Sequence, residues 1–181
     1  MSGWQTHTTR TVYENAWVRV REDTVTRPDG SPGVYGVTEM KHPAVFVVPV
    51  TEAGEVVLVR MQRYPIDRES IEVPAGGSDG EEPLVAARRE LLEETGRSAA
   101  SWTRLGEFYS LNGVADARAD VFLARHLTGE GQGHDGAAEG ISGLLLVPWT
   151  EAMDLVRSGA IHDNETIAAL MLAGLELGRI R

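Results

Sequence analysis

The sequence predicts an α/β fold in which an antiparallel β arm precedes a larger domain of sheet and helices. Apolar and polar residues alternate within residues 11–39, as is typical of half-buried antiparallel strands. Nearly continuous apolar runs follow at 44–50 and 55–60, and they predict a hairpin that is buried on both faces. Segments with the signals of amphipathic helices come later, at 83–96, 150–159 and 165–177.

Composition limits the class of function. The chain has 181 residues, of which 42% are hydrophobic, enough for one domain with a core and an appendage. The formal net charge is −10, and the sequence has no cluster of Lys and Arg. We therefore expect neither a nucleic-acid partner nor an anionic membrane partner. The absence of cysteine excludes disulfides, thiolate nucleophiles and cysteine-ligated zinc.

The sequence contains no segment that predicts export or membrane insertion. Residues 1–10 lack the apolar core of a signal peptide, and the longest apolar run, 44–50, is far too short to cross a bilayer. We therefore expect a cytoplasmic protein.

The arm is predicted to be a β ribbon. Val18 and Val20 alternate with charged residues, Arg-Pro-Asp-Gly at 27–30 favours a turn, and the apolar pattern resumes at 34–37. These features predict a hairpin, with or without a third strand. Because so small a ribbon is marginally stable alone, it needs a packing partner on the main domain or on a second subunit.

The C-terminal part is predicted to contain one more strand and two helices. The strand lies at 144–147 and is ended by Pro148. Thr150 is expected to cap a helix that ends near Gly159. A second helix is expected to be capped near Asn164 and to run to about residue 177.

Residues 76–96 combine a glycine-rich turn with a helix that carries three carboxylates. Pro83 suits the first helical turn and Gly96 suits the helix end, so the helix lies between them. Helical winding predicts that the apolar residues share one packed face, namely Leu84, Val85, Ala87, Leu91 and Leu92. The opposite face is expected to carry the three acids, Glu90, Glu93 and Glu94.

Two interpretations fit these acids. A solvated helix face is the ordinary explanation for a charged run. However, acids in the last turn face the negative end of the helix dipole, and Glu90 and Glu94 are a like-charge pair one turn apart. A divalent cation would offset both penalties, because Mg²⁺ binds through a few carboxylates together with substrate phosphates. This second interpretation predicts a site for metal and phosphate.

The end of this helix resembles the core of the Nudix box. It reads R-E-L-L-E-E-T-G from Arg89 to Gly96, and the family pattern is G-x5-E-x7-R-E-U-x-E-E-x-G-U, where U is aliphatic. Glu81 matches the upstream acid, whereas the turn from Gly76 is one residue shorter than in the family and Arg97 occupies the last aliphatic position. The resemblance implies a Nudix-type α/β/α sandwich with a mixed sheet, and metal-dependent cleavage of nucleoside diphosphate derivatives. It implies structural roles for Gly76, Glu81, Arg89 and Gly96.

By the same resemblance, the metal ligands would be the Ala75 carbonyl and the carboxylates of Glu90, Glu93 and Glu94. The metal would be Mg²⁺, with Mn²⁺ as the alternative, and it would neutralise the diphosphate and activate water. Glu93 is also assigned to the catalytic set. Arg89, which is flanked by these acids, is expected to brace them through ion pairs.

The general base is expected on a loop, because the acids of the box are committed to the metal. In the ADP-ribose branch of the family the base is a glutamate on the loop before the last core strand. Glu139 occupies the matching region here, in a segment, 128–141, that carries five glycines and is expected to be mobile. Asp135 and Glu130 are the alternatives on the same loop.

Further stretches resemble the ADP-ribose pyrophosphatase branch. V-Y-E-N-A-W-V-R-V at 12–20 is similar to an N-terminal arm that pairs two subunits in that branch. L-V-R-M-Q-R-Y-P at 58–65, I-E-V-P-A-G at 71–76 and G-A-I-H-D-N-E-T-I-A-A-L at 159–170 are similar as well. The resemblance therefore covers most of the chain. It implies a homodimer, with residues 1–42 as the dimerisation arm and residues 43–181 as the hydrolase domain.

The resemblance also implies contacts with substrate. Arg63 would reach the phosphates or the terminal ribose through its bidentate guanidinium, and an exposed or ion-paired strand-end Arg is the alternative. Trp17, with Tyr13, is the candidate for stacking on the base. Packing within the ribbon is the alternative for both aromatic residues. His162 is expected to be structural or exposed rather than catalytic.

The predicted function is metal-dependent hydrolysis of the diphosphate linkage of a nucleoside diphosphate sugar, with ADP-ribose giving AMP and ribose 5-phosphate. Two alternatives stay open: a Nudix nucleoside triphosphate pyrophosphatase, and a non-catalytic sensor of nucleotide sugars. A triphosphatase needs no dimerisation arm, and a sensor usually loses a box carboxylate or gains a DNA-binding domain. This chain has the arm and keeps the three carboxylates.

Overall fold

The computed structural model describes residues 3–129, 131 and 140–180. The chain divides into two compact units, of which the first comprises Met1–Pro43 with Tyr109–Ala119 and the second comprises Ala44–Phe108 with Asp120–Arg181. Within the described ranges, no helix is both long enough and apolar enough to cross a membrane.

Strands and helices follow one another along the chain with these bounds. The strands are β1 (Gln5–Glu14), β2 (Val18–Thr26), β3 (Pro32–Met40), β4 (Ala44–Val50), β5 (Glu55–Arg63), β6 (Arg68–Glu72), β7 (Ala75–Gly77), β8 (Ser98–Tyr109), β9 (Ala115–Asp116), β10 (Arg118–Thr128) and β11 (Ile141–Pro148). The helices are α1 (Pro83–Thr95), α2 (Trp149–Ser158) and α3 (Asn164–Glu176), and a short 3-10 helix lies at Tyr64–Ile66.

The sheet of the first unit has the strand order β1-β2-β3-β9. The predicted turn at 27–30 is confirmed, because the Arg27 N–H donates to the Ser31 carbonyl at 2.8 Å and Gly30 has a positive φ of 85°. The predicted ribbon has its third strand, β3. A fourth strand, β9, comes from a distant segment and pairs in parallel with β3, with Thr38 opposite Ala115. Strand periodicity gave no sign of this pairing.

The sheet of the second unit has the strand order β11-β5-β4-β10-β8, and β6 and β7 pair with β5 and β4. The predicted burial of the β4–β5 hairpin on both faces is confirmed, since Val45, Val47, Val48, Val56 and Leu58 are all buried. Alternate residues of β4 point to opposite faces of the sheet. On one face Val45 and Val47 belong to a core cluster with α1, and on the other Val48 belongs to a cluster with α2 and α3. This arrangement is an α/β/α sandwich, as predicted.

Helix α1 has the predicted ends and only part of the predicted packed face, since Ala87 and Leu91 are buried as expected. The Glu82 side chain caps its start by accepting the Leu84 N–H at 2.9 Å, and Gly96 ends it with a φ of 64°. Val85 and Leu92, which were expected on the packed face, are 50% and 45% exposed. Glu90 and Glu94, which were expected on the opposite face, are only 4% and 3% exposed.

The buried face of α1 combines apolar residues, Ala86, Ala87 and Leu91, with two acids that have polar partners. Glu94 accepts a hydrogen bond from the Ala75 N–H at 3.0 Å, and Glu90 is paired with Arg89. Because buried carboxylates are tolerated when they are hydrogen-bonded and paired, these contacts allow the acidic side of the helix to face the sheet. The prediction was wrong for the two flanking residues, Val85 and Leu92, and for the buried acids, because it used hydrophobicity alone.

The two C-terminal helices differ from the predicted caps in detail. Pro148, not Thr150, is the residue before α2, and the helix begins at Trp149. The Trp149 ring is buried in the core cluster. The helix therefore begins one residue before Thr150, which was the predicted cap. Asp163 caps α3 by accepting the Thr166 N–H at 2.7 Å, one residue from the predicted position at Asn164.

Strand β7 meets α1 at Gly76. A Cβ atom on Gly76 would overlap the carboxylate of Glu90, whereas a Cβ atom on the neighbouring Gly77 would lie 3.3 Å from the exposed Asp79 carboxylate. We therefore expect Gly76→Ala to lower the free energy of unfolding by about 1–3 kcal/mol, as other overpacking substitutions do. Urea denaturation followed by circular dichroism measures the change.

Gly77→Ala is the matched control for this substitution, and we expect it to change the free energy of unfolding by less than about 0.5 kcal/mol. If Gly76→Ala unfolds at the same urea concentration as Gly77→Ala, the close packing of Glu90 on β7 is contradicted.

Candidate active site

The acids of α1 lie beside the short strand that precedes the glycine-rich turn. Glu90 and Glu94 are buried, and Glu93 is the partly exposed member of the three. The Ala75 N–H donates to the Glu94 Oε2 at 3.0 Å, so the last turn of α1 is fixed to β7. The missing Cβ of Gly76 leaves the space that the Glu90 carboxylate occupies. A glycine at this position thus allows a carboxylate to lie directly against the backbone.

Arg89 is the cation of this cluster. Its Nη1 donates to Glu90 at 2.8 Å and to Glu93 at 3.1 Å, and its Nε donates to Glu81 at 3.0 Å. Its Nη2 donates to the Gly77 carbonyl at 2.9 Å. The guanidinium therefore links the second half of α1 to the turn before the helix.

These contacts also decide the protonation of Arg89. Burial by itself lowers the pKa of the guanidinium, because it disfavours the charged form. Burial is outweighed by the hydrogen bonds with Glu81, Glu90 and Glu93 and by the charge of Glu90. The pKa of Arg89 is therefore raised above its ordinary value. Arg89 stays charged throughout the physiological range.

The donor set around β7 fits a hard divalent cation. Carboxylate oxygens from Glu90, Glu93 and Glu94 and the carbonyl oxygen of Ala75 are the ligand types that Mg²⁺ and Mn²⁺ take in proteins. Within the described ranges, no three acidic or histidine side chains already converge on a single point. In this structure Arg89 engages Glu90 and Glu93, and the Ala75 N–H engages Glu94.

Arg63 lies at the end of β5 and forms a two-point ion pair with Glu72. Its Nε donates to the Glu72 Oε1 at 2.9 Å, and its Nη2 donates to the Glu72 Oε2. This hydrogen bond raises the pKa of Arg63, burial opposes the rise, and the negative charges of Asp163 and Glu94 add to it. The ion pair with Glu72 supports the interpretation of Arg63 as an ion-paired residue at a strand end. The influence of the Glu94 charge on Arg63 supports the other interpretation, a contact with substrate near the box.

The other predicted site residues have different placements. Trp17 belongs to the first unit and is 67% exposed, and Tyr13 is exposed as well. The alternative that both rings pack within the ribbon is therefore contradicted, since both rings are exposed. Glu139, with the alternatives Asp135 and Glu130, lies outside the described residues.

Sequence reasoning missed Glu72 and Asp163. Glu72 is buried at the end of β6, and its position between two apolar residues, Ile71 and Val73, was the signal that could have identified it. Asp163 precedes α3 at the cap position, and burial followed by a hydrogen bond with Glu165 raises the pKa of its carboxyl. The second acid two residues further along, Glu165, was the signal that could have identified Asp163.

Comparisons with known proteins agree with this geometry. Residues 4–38 match the family described as the nucleoside diphosphate sugar hydrolase N-terminal domain, and residues 40–170 match the NUDIX domain. The ADP-ribose pyrophosphatase of Bacillus subtilis (strain 168) is 36% identical over 139 residues, which are 76% of this chain and 75% of that protein. The methanol dehydrogenase activator of Bacillus methanolicus is 28% identical over 170 residues, which are 93% and 91% of the two chains.

A solved structure has the same fold. The crystal structure of an ADP compounds hydrolase superimposes with a TM-score of 0.84 at 22% identity, covering 98% of this chain and 97% of that one. This likeness shows the fold, and the NUDIX family match spans more than half of the sequence. The chain belongs to the Nudix family and is a Nudix hydrolase.

Proposed function

We propose that this chain hydrolyses the diphosphate linkage of nucleoside diphosphate sugars, with ADP-ribose giving AMP and ribose 5-phosphate. The observation that carries the proposal is the pair of buried carboxylates, Glu90 and Glu94, fixed against β7 by Arg89 and the Ala75 N–H. The similarity to the Bacillus subtilis ADP-ribose pyrophosphatase and to the nucleoside diphosphate sugar hydrolase N-terminal domain supports the nucleotide-sugar class.

We assign the metal site to the Ala75 carbonyl and to Glu90, Glu93 and Glu94, with Mg²⁺ as the proposed ion and Mn²⁺ as the alternative. The bound ion supplies charge neutralisation of the diphosphate and activation of the attacking water. Arg89 positions Glu90 and Glu93, because its Nη1 is hydrogen-bonded to both. Glu93 is the most exposed of the three acids, so it is the one that can face both the ion and the substrate.

Glu94→Gln tests this assignment. The amide keeps the size of the side chain and an oxygen that can accept the Ala75 N–H, but it removes the charge. We expect kcat for ADP-ribose to fall by about a hundredfold or more at saturating Mg²⁺, with an unchanged urea denaturation midpoint. Glu69→Gln is the matched control, because this exposed glutamate lies outside the box and should keep full activity.

The substrate class is tested in the same assay. Wild-type protein is given ADP-ribose, GDP-mannose, a dinucleotide and nucleoside triphosphates, first with Mg²⁺ and then with Mn²⁺, and product release is measured. The proposal requires the nucleotide sugars to have the highest kcat/KM. A preference for triphosphates, or a fully active Glu94→Gln variant, would contradict it.

We propose Glu139 as the general base, on the grounds of its position before the last core strand, β11. If Glu139 accepts the proton of the attacking water, Glu139→Gln lowers kcat strongly and leaves KM and metal affinity nearly unchanged, because the loss falls on the chemical step. Steady-state kinetics and metal titrations measure these quantities. The matched variant Asp135→Asn lies on the same loop, and a collapse of activity there alone would assign the base to Asp135 instead.

We also propose that the first unit forms a homodimer and that Trp17 stacks on the base of the substrate. Strand β1 is at the edge of its sheet, with every residue exposed. Val12, Tyr13 and Trp17 are exposed on β1 or just after it, and exposed apolar side chains on an edge strand favour association.

Light scattering tests the dimer. We expect a dimeric mass at micromolar protein concentration, and we expect Val12→Asp to shift the mass towards the monomer, because it places a charge on the edge strand. A wild-type protein that is monomeric under these conditions would rule the dimer out.

A further inference from the structure

A cleft of about 490 Å³ opens in the second unit where the end of β5 and strand β6 meet the start of α3. We call it the α3 cleft. Arg63, Ser70 and Glu72 line it from the sheet side, and His162 and Asp163 line it from the residues before α3. Apolar walls are provided by Phe46, Pro65 and Ile66. None of the roles assigned above explains why this cleft is polar at its base.

Two polar atoms in the α3 cleft lack a hydrogen-bond partner among the residues that the structure describes. They are the hydroxyl oxygen of Ser70 and the Nε2 of His162, and both atoms are buried. Ser70 as a whole is only 1% exposed. Because buried polar atoms in folded proteins are nearly always hydrogen-bonded, two such atoms lining one cleft indicate that a ligand supplies their partners.

The tautomer of His162 defines the partner that it needs. Its Nδ1 lies 3.3 Å from the Ala160 carbonyl oxygen, and a carbonyl can only accept a hydrogen bond. In the neutral ring Nδ1 therefore carries the proton, which leaves Nε2 as an acceptor. The matching ligand group is a donor such as a hydroxyl. Ser70 can donate to or accept from a second hydroxyl.

The charges in the α3 cleft favour a neutral ligand over an anion. Arg63 is already paired through two hydrogen bonds with Glu72. Burial and the neighbouring Glu165 raise the pKa of Asp163, so its carboxyl holds a proton more readily than an exposed aspartate does. A phosphate would meet these acids and no uncommitted arginine in the cleft. A group with several hydroxyls and an apolar face fits better.

The α3 cleft adjoins the box acids through a single backbone segment. The Val73 N–H donates to the Thr166 hydroxyl of α3 at 3.2 Å, and two residues further on the Ala75 N–H donates to Glu94. Arg63, which lines the cleft, is within electrostatic reach of the same Glu94. Residues 70–75 therefore connect the lining of the cleft to the box acids.

We propose that the α3 cleft binds the sugar of the nucleoside diphosphate sugar, with His162 Nε2 accepting from one sugar hydroxyl and Ser70 Oγ bonded to another. This inference rests on the proposed function, because the sugar reaches the cleft only when its diphosphate is at the box. It makes Ser70 and His162 residues that determine specificity for the sugar, separate from the acids that bind the metal.

Substitutions that remove single atoms test the cleft. We expect Ser70→Ala and His162→Phe each to raise KM for ADP-ribose by about tenfold and to leave kcat nearly unchanged. KM for the β-methyl ester of ADP, which has the diphosphate but no sugar, should not change. His162→Gln keeps an acceptor and should retain more of the affinity. Ser158→Ala and His42→Phe, at exposed positions outside the cleft, serve as matched controls.

Folding is checked in the same variants. The Ser70 hydroxyl has no partner to lose, so Ser70→Ala should have an unchanged or raised urea denaturation midpoint. A purely structural role for Ser70 predicts the opposite, a lower midpoint with an equal change in KM for both substrates. That pattern, or an unchanged KM for ADP-ribose in both cleft variants, would refute the proposal.

A binding experiment separates this inference from the proposed function. Ribose 5-phosphate and inorganic phosphate are titrated into wild-type protein and the variants with Mg²⁺, and binding is followed by calorimetry. Weaker binding of ribose 5-phosphate with unchanged phosphate binding supports the cleft even if no nucleotide sugar is hydrolysed. Hydrolysis of ADP-ribose together with equal binding in wild-type protein and variants supports the proposed function and overturns the cleft.

Discussion

Arg89 joins the carboxylates of Glu81, Glu90 and Glu93 to the backbone carbonyl of Gly77. A charged side chain on the buried face of a helix is strongly unfavourable unless a partner compensates it. Because Arg89 and the Ala75 N–H provide that compensation, α1 can turn its acids inward and leave Val85 and Leu92 in water. The orientation of the whole helix depends on these few contacts.

The same constraint organises the backbone around the acids. Gly76 has to lack a side chain because Glu90 lies against it. Val45 and Val47 of β4 pack under α1, so the helix and the glycine turn are held against one face of the sheet. On the neighbouring segment, Val73 is tied to Thr166 at the start of α3. One stretch of backbone, residues 70–77, thus carries both the Ala75 carbonyl, which we propose as a metal ligand, and one wall of the α3 cleft.

The distribution of charge is consistent with a metal-dependent reaction on an anionic substrate. The chain carries a formal net charge of −10, and the arginines nearest the site, Arg63 and Arg89, are committed to carboxylates. A diphosphate approaching these acids needs a positive charge that the protein itself does not leave uncommitted there. The divalent ion that we propose at the same acids would supply it, and the paired arginines would hold the carboxylates in place.

The sequence by itself determined the features that depend on neighbouring residues. Pro83 and Gly96 define the ends of α1, the turn at 27–30 closes a hairpin, and the box motif identifies the family, because each is a local signal. Tertiary structure alone decided which face of α1 is buried, that β9 pairs with β3, and that Ser70 and His162 line one cleft. Each of these three features depends on contacts between residues far apart in the chain. The hydrophobic period of a single segment carries no information about which distant hydrogen-bond donor or carbonyl that segment will contact.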